Sequence, residues 1–122
     1  MEIHFKIWLE DPAGVLFGTG RHQLLRAVQE LGSLSAAAKR LEMSYRAAWG
    51  RIRASEERMG IKLLEPAGKG RRLVLTPAAQ NLLGRYELFE KRADAAIEAI
   101  AQDIFSKSPD GDLIPYEPEP DR

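Results

Sequence analysis

The sequence contains no cysteine, which excludes disulfide bonds, thiolate nucleophiles and cysteine-based zinc sites. Its two histidines, His4 and His22, lie in separate segments with no paired carboxylates nearby, so we expect no metal site. No nucleophile stands beside a general base, and we expect neither an enzyme nor a cofactor. No apolar run approaches the ~20 residues of a membrane span, and the first eleven residues lack a signal-peptide core. These absences favour a cytoplasmic protein.

Neither sign of charge is in excess overall, but the charges are segregated along the chain. The 122 residues carry 18 basic and 18 acidic side chains, and 44% of them are hydrophobic, as in an ordinary globular domain. Residues 20–72 hold twelve basic and five acidic residues, whereas residues 102–122 hold two basic and six acidic ones. A local basic surface can bind phosphate groups even when the whole chain is neutral.

Residues 32–52 have the pattern of two short helices that each begin at a serine. We expect Ser33 or Ser35 to cap the first helix and Ser44 to cap the second, because a serine hydroxyl accepts a hydrogen bond from the first turn. The small side chains of Ala36–Ala38 let a second helix cross closely. This pattern predicts a helix-turn-helix whose second helix enters a DNA groove.

The residues before this motif predict a hairpin and a helix. Apolar and polar residues alternate over residues 3–9, which indicates a strand, and a turn at 11–14 leads to a second strand at 15–17. A first helix is expected over 20–31, ended by Gly32. Its buried stripe is expected to contain Leu24, Leu25, Val28 and Leu31.

The residues after the motif predict a wing. Gly60 ends the second helix, and strands at 61–65 and 73–75 flank a basic turn over 66–72. A basic hairpin placed directly after a recognition helix makes a winged helix-turn-helix. The predicted fold class is therefore α+β, mainly α, with an N-terminal β-hairpin and a long C-terminal helix.

The long helix is expected over residues 77–105, started by the Thr76–Pro77 pair. A small domain cannot cover such a helix, which is ~43 Å long, so we expect it to form a homodimer. The dimerisation seam has heptad spacing and comprises Leu82, Tyr86, Phe89, Ala93, Ala96, Ile100 and Ile104. The expected division is 1–76 for DNA binding, 77–105 for dimerisation and 106–122 as a disordered, acidic, proline-rich tail.

Between residues 3 and 105 the chain resembles the N-terminal DNA-binding domain of the molybdate-responsive ModE regulators, which are related to the LysR-type winged helix. The resemblance is carried by residues 8–10, 18–21, 24–25, 32–38, 43–49, 68–70 and 75–77. The string Met43–Trp49 is the most specific of these. The residues after 105 have the composition of an acidic tail and not of a molybdate-binding domain, so we expect a stand-alone form. The resemblance then implies DNA binding and dimerisation.

The residues expected at double-stranded DNA fall into three groups. The groove side of the second helix presents Tyr45, Arg46, Trp49, Gly50 and Arg53, with Ala48 and Ile52 facing the core. The helix starts at Ser33, Ser35 and Ser44 present backbone amides to phosphates. The wing contributes Lys69, Arg71 and Arg72. Trp49 is equally compatible with a place in the core.

We therefore expect a sequence-specific DNA-binding transcriptional regulator that acts as a homodimer on an inverted repeat, linked to molybdate or other oxyanion metabolism. Two alternatives stay open. A winged helix can also serve as a protein-interaction module, with the acidic tail folded onto the basic face. The chain could also sense an oxyanion, molybdate or tungstate, at a dimer interface, although no site motif supports this.

Overall fold

The structure is a computed structural model and describes residues 2–70 and 72–120. Its elements, in chain order, are β1 (Trp8–Asp11), β2 (Gly14–Gly18), α1 (Thr19–Leu31), α2 (Leu34–Arg40), α3 (Tyr45–Met59), β3 (Leu64–Pro66), β4 (Leu73–Leu75) and α4 (Pro77–Ile104). Contacts divide the chain into an N-terminal unit, residues 4–87, and a C-terminal unit, residues 2–3 and 88–120. The expected fold class, a mainly α winged helix-turn-helix with an N-terminal hairpin and a long last helix, is confirmed.

The N-terminal hairpin is shorter than its sequence pattern predicts. β1 and β2 pair antiparallel, and Asp11 Oδ1 closes their turn by accepting hydrogen bonds from the N–H groups of Ala13 (2.8 Å) and Gly14 (3.2 Å). The strand expected over residues 3–9 begins only at Trp8, because β2 runs directly into α1 and leaves the preceding residues without a partner strand. Two apolar residues of the alternating pattern, which a half-buried strand would bury, are exposed: Phe5 and Leu9.

The core of the N-terminal unit is built from both hairpins and all four helices. Its largest fully buried side chains are Phe17, Leu24, Leu25, Val28, Leu34, Ile52, Leu63 and Leu83. Leu31, expected in the buried stripe of α1, is 39% exposed because it is the last residue of the helix, beyond the turns that the core covers. The glycines that end α1 and α3, Gly32 and Gly60, adopt the expected positive φ angles of 75° and 68°.

The first turns of α4 pack into this core, which corrects one position of the expected dimerisation seam. Tyr86 is only 3% exposed, and its hydroxyl donates a hydrogen bond to the carbonyl of Ile7 at 3.0 Å. Its ring meets Phe17 edge to face, with ring centres 5.1 Å apart. Tyr86 is therefore buried within its own domain and cannot contact a second chain. Leu82, the preceding seam residue, also packs against this core.

A charged contact joins α4 to α1. The Glu87 carboxylate lies 2.9 Å from His22 Nε2 and accepts a hydrogen bond from Arg26 Nε at 2.7 Å. These hydrogen bonds, first to His22 and then to Arg26, hold the pKa of Glu87 below its ordinary value. The side chains are partly exposed, so we regard this contact as orienting α4 rather than as a main source of stability.

Side chains rather than a strand ladder organise the segment after α3. The strand expected over residues 61–65 begins only at Leu64, because the backbone before it has other partners. The N–H of Leu63 donates to Glu56 Oε2 at 2.8 Å, and its carbonyl accepts from the N–H of Thr76 at 3.1 Å. Thr76 also accepts a hydrogen bond from the N–H of Ala79 at 3.1 Å, so it caps α4 as expected.

In the C-terminal unit, α4 ends at Ile104 and a turn follows within the tail that its composition predicts to be disordered. The N–H of Ser108 donates to the carbonyl of Asp112 at 2.6 Å, and Lys107 forms an isolated bridge with Leu113. Gly111 supplies the positive φ angle, 86°, that the turn requires.

We predict that Glu56→Ala lowers the free energy of unfolding by roughly 1–3 kcal/mol, because it leaves the buried N–H of Leu63 without an acceptor. Urea denaturation at neutral pH measures this change. The matched control is Glu57→Ala, an exposed neighbour on the same helix, whose effect should stay within about 0.5 kcal/mol. Equal effects of the two substitutions would contradict the role assigned to Glu56.

Candidate nucleic-acid interface

The recognition helix α3 buries a narrow inner face and exposes the side chains expected at DNA. Ala48 and Ile52 are completely buried, as expected from their spacing. The outer face carries the expected residues, all of them exposed: Tyr45, Arg46, Trp49, Gly50 and Arg53. Ser44 begins the helix and accepts a hydrogen bond from the N–H of Ala47 at 3.0 Å. The helix thus presents cationic and aromatic groups at its first turns, the part that enters a major groove in helix-turn-helix proteins.

Trp49 lies on the outer face and not in the core. It is 40% exposed, and the guanidinium carbon of Arg53 lies 5.8 Å from the centre of its ring. This distance is within the range of a cation–π interaction. The contact orders two long side chains on the same face and so lowers the entropy lost when either of them meets a ligand.

The two serines at the start of α2, Ser33 and Ser35, have different roles. Ser33 is the N-cap, because its hydroxyl accepts a hydrogen bond from the N–H of Ala36 at 3.0 Å. Ser35 lies one residue inside the helix, is exposed, and forms no hydrogen bond through its side chain in residues 2–70 or 72–120. The hydroxyl of Ser33 therefore caps α2, whereas the hydroxyl of Ser35 is available to a ligand.

The wing returns the chain to the start of α2. Three residue pairs join β3 and β4, and the loop between them carries exposed Lys69. The guanidinium of Arg72 lies beside Gly32, whose carbonyl accepts a long hydrogen bond from the N–H of Leu73 at 3.4 Å. Arg72 thus lies near the capping serine of α2. Arg71, the remaining wing residue expected at DNA, lies outside the described residues.

A cleft of about 220 Å³ links these elements, and no sequence pattern indicated it. Its lining comes from the first residues of α2, the first residue of α3 and the start of β4: Ser33, Leu34, Ser35, Tyr45 and Leu73. The cleft brings Ser35 and Tyr45 to one surface. Leu73 was expected only as a wing strand residue, because spacing along the chain cannot reveal that the wing packs beside α2.

Comparison with known proteins identifies this arrangement. Residues 21–80 match the family described as bacterial regulatory helix-turn-helix proteins of the lysR family. They form a LysR-type helix-turn-helix domain. This LysR-type domain superposes on the DNA-binding domain of CbnR, solved in complex with DNA, with a TM-score of 0.54 and 28% identity. The match covers 69% of this chain and 95% of the CbnR domain.

Two curated relatives extend the LysR-type match to the ModE group. Molybdenum-pterin-binding protein MopB of Rhodobacter capsulatus is 38% identical over 83 residues, which are 66% of this chain and 31% of that protein. Transcriptional regulator ModE of Haemophilus influenzae is 37% identical over 83 residues, 66% of this chain and 32% of that protein. The chain thus spans about a third of the length of these relatives. The expected resemblance to ModE and LysR proteins is confirmed.

Among residues 2–70 and 72–120, no helix is both long enough and apolar enough to cross a membrane. The same residues contain no group of three or more histidine, aspartate or glutamate side chains arranged to hold a metal ion.

We predict that Ser33→Ala lowers the free energy of unfolding by about 1 kcal/mol, because α2 loses its N-cap. Ser35→Ala is the matched control and should change that free energy by less than about 0.5 kcal/mol. Chemical denaturation followed by circular dichroism checks both variants. A larger effect at Ser35 than at Ser33 would reverse the assignment of the cap.

Proposed function

We propose that this chain is a sequence-specific DNA-binding transcriptional regulator of the cytoplasm that acts as a homodimer and carries out no catalysis. The observation that carries the proposal is the outer face of α3. Its inner face is sealed by Ala48 and Ile52, while Arg46, Trp49 and Arg53 are exposed at the surface. The likeness to the CbnR domain, which was solved in complex with DNA, supports DNA binding by this domain.

Each group of side chains has a separate task in this proposal. Arg46, in the first turn of α3, reads a base edge in the major groove, and guanine is its natural partner because a guanidinium can bind O6 and N7 together. Ser35 and Tyr45, which line one cleft, and Arg72, which lies beside Gly32, are proposed to contact the sugar-phosphate backbone and so to set the register of the protein on the duplex. Lys69 supplies a further backbone contact from the wing.

The dimer is proposed to form through the part of α4 that lies in the C-terminal unit. Phe89, Ile100 and Ile104 are each about half exposed, at 48%, 56% and 60%. Together with Ala93 and Ala96 they continue the heptad spacing, so they share one side of the helix. Since Tyr86 and Leu82 pack into the N-terminal unit, the proposed seam is shorter than the one expected from spacing and begins at Phe89. A twofold dimer would bind an inverted repeat.

The regulated genes are proposed to serve molybdate or tungstate metabolism. The support is the likeness to ModE and to a molybdenum-pterin-binding protein, together with the resemblance carried by the string Met43–Trp49. Molybdate or tungstate as an effector belongs to the same proposal. The matched residues make up about a third of each relative's length.

We predict that Arg46→Ala weakens binding to the operator by about tenfold or more, because it removes one bidentate base contact. Fluorescence anisotropy of the full chain against its own upstream promoter and a scrambled duplex of equal composition measures this. The preference at one base pair should relax, whereas Lys69→Ala should weaken both duplexes equally. Arg85→Ala, an exposed arginine on α4, is the control and should bind as the unmodified chain does.

Two outcomes would contradict this function. Equal loss on both duplexes for Arg46→Ala would mean that Arg46 contacts only phosphates. Weak and equal binding of the unmodified chain to both duplexes, abolished by salt, would leave electrostatic attraction alone and would favour a protein-interaction module instead.

We further predict that Ile100→Asp converts the dimer to a monomer at micromolar concentration, because it places a charge in the apolar seam. Sedimentation equilibrium measures the mass. Gln102→Asp, two residues along and on the opposite side of α4, introduces the same charge at an exposed position and should leave the dimer intact. Dissociation by both substitutions, or by neither, would exclude this face as the interface.

A further inference from the structure

Three guanidinium groups line a side of α3 that is distinct from its proposed groove-reading face. Arg51 and Arg58 belong to α3, and Arg21 reaches the same side from the start of α1. Arg21 Nε donates a hydrogen bond at 2.8 Å to the hydroxyl of Ser55, a fully buried residue of α3. Positions 51, 55 and 58 follow one another at helical spacing, so they lie along one edge of α3. We call Arg21, Arg51 and Arg58, which lie along this edge, the arginine row.

Two glycines lie beside members of this row, and one of them, Gly14, leaves space for an arginine side chain. The Arg58 guanidinium donates a hydrogen bond from Nη1 to the carbonyl of Val15 at 2.8 Å and lies against Gly14, where an added Cβ would come within 2.7 Å of its central carbon. Arg51 Nη1 lies 4.0 Å from the place of a Cβ at Gly20. A side chain at Gly14 would therefore displace the guanidinium of Arg58, whereas Gly20 only lies within van der Waals distance of Arg51.

Among the described residues, no carboxylate pairs with the arginine row to balance its positive charge. Other arginines of this unit pair with carboxylates, Arg26 with Glu87 and Arg40 with Glu30. Within residues 2–70 and 72–120, no ion pair involves a member of the row. Asp11, in the adjacent turn, uses its carboxylate to accept two backbone N–H groups.

The environment of Arg21 reflects this lack of balance. Burial, followed by the positive charges of Arg51 and Arg58, holds the pKa of Arg21 below its ordinary value. Arginine stays protonated even so, and the three like charges repel one another. An anion bound among them would remove this repulsion.

We propose that Arg21, Arg51 and Arg58 form a phosphate-binding site that is separate from the groove-reading face of α3. Arg51 and Arg58 follow the groove-facing Arg46 and Arg53 by five positions each, which places them about 140° around the helix. Planar guanidinium groups bind tetrahedral phosphate through paired hydrogen bonds. The phosphate is either free inorganic phosphate or a phosphodiester of duplex DNA, and the site does not require sequence-specific readout.

Arg51→Gln is the variant that tests free phosphate. Arg51 is exposed and makes no hydrogen bond or ion pair with a described residue, so its loss should leave the phosphate-free protein equally stable or more stable. Inorganic phosphate should raise the melting temperature of the unmodified chain saturably, with potassium chloride matching the ionic strength. Arg51→Gln should weaken the apparent phosphate affinity by about tenfold, the loss expected for one charged hydrogen bond.

A matched control removes the general salting effect of phosphate, which strengthens folding in any protein. Arg85→Gln deletes the same charge at an exposed arginine outside the row and should respond to phosphate as the unmodified chain does. A lower stability of Arg51→Gln in the absence of phosphate would contradict the proposal, because it would mean that Arg51 is already balanced by the fold.

The second arm titrates the same three proteins with duplex DNA at several salt concentrations. If the phosphate belongs to DNA, Arg51→Gln should reduce the slope of log affinity against log salt by about one, and Arg85→Gln should not. A specific change in either arm supports the site and identifies the source of its phosphate. Equal phosphate responses together with equal slopes would overturn it. Failure of the unmodified chain to bind DNA would defeat only the proposed function, and the free-phosphate arm would still decide.

Discussion

Close packing between α2 and α3 is the contact on which the candidate interface depends. Ala37, Ala38 and Ala48 are all at least 98% buried, so the two helices approach with little side-chain bulk between them. Small residues fix the crossing because a larger side chain at any of these positions would force the helices apart. The inner face of α3 packs against α2 and, at Ile52, against the core. Its remaining polar and aromatic side chains therefore face outward.

Buried polar groups then hold the far end of α3 in place. Ser55 and Glu56 are the polar residues on its buried side, and each has a partner on another element: Arg21 of α1 and the N–H of Leu63 before β3. Such bonds are directional, so they restrict rotation of the helix more than apolar contacts alone would. The hydrogen bond from Arg21 to Ser55 also brings Arg21 beside Arg51, so the arginine row results from the contact that holds α3 against α1.

Local features were predictable from sequence because their causes lie within a few residues. The serine and threonine caps at Ser44 and Thr76, and the helix-ending glycines at Gly32 and Gly60, depend on one side chain or one φ angle each. Strand extent was less predictable. It depends on a partner strand elsewhere in the chain. The direct passage of β2 into α1 and the hydrogen bond from the N–H of Leu63 to Glu56 both shorten a strand, and neither leaves a periodic pattern in the sequence.

The sequence by itself determined the order of the elements, the inner face of α3 and the family to which residues 21–80 belong, because helical spacing and the string Met43–Trp49 are properties of the chain alone. Only the tertiary structure decided which side chains meet. It placed Tyr86 in the core rather than in a dimer seam and placed Trp49 at the surface. It also chose Ser33 over Ser35 as the cap of α2. These outcomes depend on contacts between residues distant in sequence, which the spacing of residues along one helix does not encode.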